Sequence, residues 1–129
     1  MNKIIVEISI GELLDKISIL EIKKDKIKDL KKLEFVYNEH SILKSQLENN
    51  IKTDDKLNEL FQSLKEINTK LWIIEDNKRL CEKDKDFGDN FIKLSRDVHF
   101  LNDERAKIKL KINDHTGSKI KEIKEYTKY

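Results

Sequence analysis

Apolar residues recur at three- and four-residue intervals along most of this chain, which is the period of an α-helix and not of a strand. The first run is Ile10, Leu13, Ile17, Leu20 and Ile27, widened by Leu14 and Leu30. A second follows at Leu33, Val36, Tyr37, His40, Leu43 and Leu47. The phase of the stripe shifts near Asp29 to Lys32 with no glycine or proline to mark a break, so a turn or kink is expected there. Two longer runs complete the pattern. One passes through Leu57, Leu60, Leu64, Ile67, Leu71, Ile74, Lys78 and Cys81, the other through Phe91, Leu94, Val98, Leu101, Arg105, Ile108 and Ile112.

The polar residues between these runs punctuate them. Ser9-Ile10-Gly11-Glu12 has the form of a capping box at the start of the first helix. Thr53 and Asp54 offer N-caps after a polar stretch, and Phe87-Gly88-Asp89-Asn90 ends one helix and starts the next. Before Ser9, the β-branched segment Lys3 to Ile8 reads as a short extended arm. The expected organisation is one helical domain over 1–129: arm 1–8, helices 9–31, 32–49, 54–86 and 89–116, and a tail 118–129. The fold class is all-α, an antiparallel bundle with long coiled-coil-like helices. So short a link between the last two helices makes them a hairpin, in which facing residues have numbers that sum to roughly 176. That register pairs Cys81 with Leu94, Ile74 with Leu101 and Ile67 with Ile108.

Composition narrows the function classes. In 129 residues, 40% are charged, yet 27 Lys and Arg against 25 Asp and Glu leave a net charge of +2, so nucleic acid is disfavoured as a partner. No stretch is long and apolar enough for a membrane span, and a cytoplasmic location is expected. Cys81 is a lone cysteine, and the histidines His40, His99 and His115 lack metal-ligand spacing, so neither a metal nor another cofactor is expected. Isolated glycines offer no phosphate loop.

Only three of the 27 cations are arginines, and Arg79, Arg96 and Arg105 all fall on the expected hairpin. Arginine's planar fork suits bidentate carboxylate pairing where lysine's point charge does not. The hairpin register places Arg105 opposite Leu71 and Trp72 within reach of Glu75, Arg96 near Glu82, and Arg79 near Asp97 and Asp103. His99 lies one helical turn from Asp103, a spacing that allows acid or base work. The candidate cluster is therefore Trp72, Glu75, Arg79, Arg96, His99, Asn102, Asp103 and Arg105. It reads either as an ion-pair network that fixes helix register or as a site for a carboxylate or phosphate, with Trp72 as its apolar wall.

The motifs Ser9-Ile10-Gly11-Glu12-Leu13-Leu14-Asp15-Lys16-Ile17-Ser18, Leu71-Trp72-Ile73-Ile74-Glu75-Asp76, Lys85-Asp86-Phe87-Gly88, Ser95-Arg96-Asp97-Val98 and Asn102-Asp103-Glu104-Arg105-Ala106 resemble a domain family of unknown function. The likeness extends over roughly residues 4–115. It implies a short helical protein of bacteria or their phages, of a kind that occurs beside glycosyltransferases of surface-polysaccharide synthesis. Two readings follow. One is a small binding or assembly module, with a protein partner or a second copy of itself. The other is a small enzyme or ligand-binding protein that takes an anionic small molecule at the hairpin.

Overall fold

The computed structural model describes residues 2–129. It holds four helices, α1 (Ile10–Lys26), α2 (Leu30–Asn50), α3 (Asp55–Asp84) and α4 (Asp89–Thr116), and no strand among the described residues. The protein is all-helical.

The starts of α1, α2 and α3 are each set by a side-chain oxygen that takes up orphan amides of the first turn, while α4 starts at Gly88 without one. Ser9 Oγ accepts from the Glu12 amide at 3.0 Å, and Asp54 Oδ1 accepts from the Leu57 amide at 2.8 Å. The second half of the expected capping box does not form. Glu12 turns its carboxylate away to Lys109 Nζ at 2.7 Å, a stronger partner than the Ser9 amide. The junction left open between the first two helices is a break at Ile27–Asp29. Asp29 Oδ1 accepts from the amides of Lys31 and Lys32 and so starts α2 at Leu30.

α1 is the central element, in contact with each of the other three, while α2 packs on α1. Leu13, Leu14 and Ile17 of α1 meet Leu47 of α2, Leu57, Leu60 and Leu64 of α3 and Ile112 of α4 in one core. Ile17, Leu64 and Ile112 have no accessible surface at all. Burial of an aliphatic side chain contributes about 1.5–3 kcal/mol, so this cluster supplies most of the driving force for the head of the molecule. α1 approaches α4 closely at Gly11, whose amide donates to Asn113 Oδ1 at 2.7 Å. A Cβ at Gly11 would lie 2.7 Å from the Lys109 carbonyl oxygen, so only glycine fits.

α3 and α4 lie side by side in opposite directions. Near the turn Cys81 Sγ meets Asn90 Nδ2 at 3.7 Å, and at the far end Asp54 meets His115 at 2.9 Å. These two contacts fall a few residues short of the register expected from the sequence, whereas Ile74 and Leu101 line one depression as that register has them. The cause is the position of the turn. α3 ends at Asp84 and Lys85 adopts the left-handed conformation (φ 53°), so the chain reverses before Gly88, which serves instead as the N-cap of α4.

The hairpin outreaches its cover. α3 buries Leu57, Leu60, Leu64, Ile67, Asn68 and Leu71 in its first half but only Cys81 beyond. On α4 only Ile112 and Asn113 are fully buried.

Candidate functional site

The polar centre of the molecule is a carboxylate on α1. Asp15 is 1% exposed and sits where α1 meets both α3 and α4. Its Oδ1 accepts from Arg105 Nε at 3.0 Å and from Asn68 Nδ2 at 2.8 Å. The second oxygen accepts from Arg105 Nη2, which makes the pair bidentate, and lies 3.7 Å from Lys109 Nζ. Asn68 Nδ2 also donates to Ser18 Oγ at 2.8 Å, and that hydroxyl donates to the Asp15 carbonyl at 2.7 Å.

Burial by itself would push the Asp15 carboxyl up. The guanidinium of Arg105, the Asn68 amide and the Lys109 ammonium outweigh it, and the carboxyl is held below its usual range. The pairing with Asp15 raises Arg105 in turn. Burial opposes the charge on Lys109, but Glu12 and Asp15 overcome it and the ammonium is raised. Lys109 also reaches Glu122 of the tail at 3.3 Å. Three carboxylates thus surround Lys109, and Asp15 holds Nε and Nη2 of Arg105. These cations have no unmatched charge to offer a further anion.

Arg105 therefore pairs across to α1 and not, as the sequence register suggested, with Glu75. The remaining candidates disperse. Arg96 was expected near Glu82, but Glu82 pairs with Lys85 at 3.2 Å while the Arg96 guanidinium lies 5.9 Å from the centre of the Phe100 ring. Arg79 was expected near Asp97 and Asp103. Asp97 pairs instead with Lys93 at 2.9 Å, and Asp103 accepts from the Tyr129 hydroxyl of the tail. His99 is exposed and packs between Phe100 and Tyr129, with ring centres 4.3 and 5.3 Å away. No carboxylate contacts its ring among the described residues. Asn102 lies with Glu12, Arg105, Lys109 and Glu122 along a polar surface depression.

One subset does share a site. Trp72, Glu75, Arg79 and Arg105 line a groove of about 300 Å³ between α1 and the hairpin, floored by Ile19, Ile22 and Leu71. Its floor is apolar and its rim charged. Arg79 has no carboxylate within 4.0 Å among the described residues.

The residue that sequence reasoning missed is Asp15, together with Ser18 and Asn68. A signal was present. Gly11, Asp15, Ser18 and Ile22 recur at spacings of four, three and four, which is a second helical face beside the apolar stripe, small and polar where it crosses α4.

Among the described residues no group of three or more His, Cys, Asp or Glu is placed to hold a metal ion. No helix is long and apolar enough to cross a membrane. One family model matches the chain, over residues 4–129. No curated protein and no solved structure matches it.

Proposed function

The chain belongs to a family of unknown function (DUF6165), so its role has to be argued from geometry, and we propose that it is a small helical assembly module. In this reading the Asp15 network is a clamp that locks α1 onto α3 and α4, and the working surface is the exposed face of the α3–α4 hairpin. The observation that carries it is the accessible surface. The chain exposes 9791 Å², where a compact chain of 15.4 kDa exposes about 7,200 Å². The surplus belongs to the arm, the tail, the outer face of α2 and the hairpin beyond its cover. Along that hairpin Ile73, Leu80, Phe87 and Ile92 are about half exposed, and Phe100 is partly exposed beside Tyr129 of the tail. The partner class that the family resemblance implies, an enzyme of envelope polysaccharide synthesis, rests on that resemblance alone.

A photo-reactive amino acid at Leu80 tests the reading in cells. Defined protein adducts from Leu80, with none from the same group at exposed Glu59 on the base of α3, are expected. Equal labelling from both positions contradicts it.

A second reading is favoured by the groove that gathers Trp72, Glu75, Arg79 and Arg105. It takes the protein as a binder of a small carboxylate or phosphate, with Arg79 as the donor free to engage it and Trp72 as the wall. Calorimetric titration with small dicarboxylates and phosphates tests it. Binding that Arg79→Gln abolishes supports this reading, and heats that Arg79→Gln leaves unchanged contradict it.

A further inference from the structure

We infer that the occupant of the hairpin face is a second copy of the same chain, so that two hairpins close a four-helix bundle around a two-fold axis. This rests on the assembly-module reading and names its partner. Ile73 and Leu80 lie one heptad apart on α3, and Ile92 and Phe100 lie two turns apart on α4. Their side chains are 46%, 51%, 53% and 37% exposed. Phe100 and Asp97 join two shallow depressions, one with Lys70, Ile73, Ile74 and Leu101, the other with Asp89, Ile92, Lys93 and Arg96. The apolar residues therefore form one strip and not scattered points.

Two features select a second copy. The first is charge. The strip is bordered by Lys70, Lys93 and Arg96 and also by Asp89 and Asp97, both signs on one surface. A two-fold contact brings a patch against itself, which requires that mixture, whereas a one-sign border would repel its own copy. The second is helix count. Past the end of α1 the hairpin is two helices with one seam, and packed helices of this length are stable when four share a core. Two copies supply four.

Sedimentation equilibrium of the purified chain over about 1–200 μM reads this directly. A mass that rises toward twice 15.4 kDa is expected. Phe100→Lys and, separately, Leu80→Lys should weaken association about a hundredfold or more while the helical circular dichroism is kept. The control is Phe35→Lys, which removes a still more exposed apolar side chain from α2 and should leave the dimer constant unchanged. A chain that stays monomeric at 200 μM overturns the inference. So does a dimer that Phe35→Lys weakens as much as Phe100→Lys does. If the chain is monomeric yet Leu80 still gives defined protein adducts in cells, only the homodimer falls. The loss of those adducts as well removes the module reading too.

Discussion

Replacing Arg105 by Met separates a structural clamp from a ligand site, because Met keeps most of the volume and removes the charge. In the native protein Asp15 is buried and held by Nε and Nη2 of Arg105, with Lys109 at 3.7 Å as a weaker second cation. Loss of one partner from a buried pair costs about 3–5 kcal/mol. Lys109 remains in the variant, and the Arg105 side chain is 28% exposed, so water reaches the gap. The lower end of that range, about 3 kcal/mol or a fall in Tm of roughly 10 °C, is expected. The pH dependence should change sign. In the native protein the lowered Asp15 carboxyl contributes stability above its unfolded pKa of about 3.9, and that contribution is lost as the pH falls through the folded value. Without Arg105, burial dominates and the carboxyl moves above its unfolded value. The variant should then gain stability relative to the native protein as the pH falls from 7 to 5, when Asp15 takes up a proton. Urea unfolding of both proteins at pH 7 and pH 5 measures this. Adding Asp15→Asn to Arg105→Met should recover about 1–2 kcal/mol, because the unpaired buried charge is gone. A cost below about 1 kcal/mol at pH 7, with the same pH slope as the native chain, would refute the clamp.

Other expectations concern the α1 contacts. Gly11→Ala places a Cβ 2.7 Å from the Lys109 carbonyl oxygen, on rigid helix backbone, so the helices must part. A loss of about 1–3 kcal/mol in chemical denaturation is expected, and an unchanged midpoint would show that α1 and α4 do not meet there. Ser9→Ala removes the hydroxyl that caps α1 and should cost about 1 kcal/mol, whereas Ser9→Asp should hold the native midpoint. Arg105→Lys keeps the charge but not the fork, and a loss between that of the native protein and Arg105→Met is expected in the same urea titration.

The helices were legible because their apolar stripes and caps are local. Leu57 through Ile74 and Asp54 before them announce α3 without any knowledge of its neighbours. The hairpin register was less so, since it depends on which turn residue takes the left-handed conformation. Lys85 has no sequence signature for that role, while Gly88, which has one, was spent on the N-cap. The candidate site was read from arginine pairing within the hairpin alone, and so Arg105 was given to Glu75. Its true partner is 90 residues away on α1, in a contact that only the crossing of α1 over α4 at Gly11 creates. Asp15 and Ser18 stand in a helix whose apolar face already explained its burial, and their spacing with Gly11 gains meaning only once a helix is known to lie against it.

The hairpin face is the proposed working surface and the Asp15 network its support. Amide hydrogen exchange on the purified chain at 1 μM and at 100 μM tests it most directly. Protection that increases with concentration across residues 73–80 and 92–100, with 10–20 of α1 unchanged, is the expected result. Exchange in the hairpin that is independent of concentration, or protection that rises equally in α1 and α2, would contradict it.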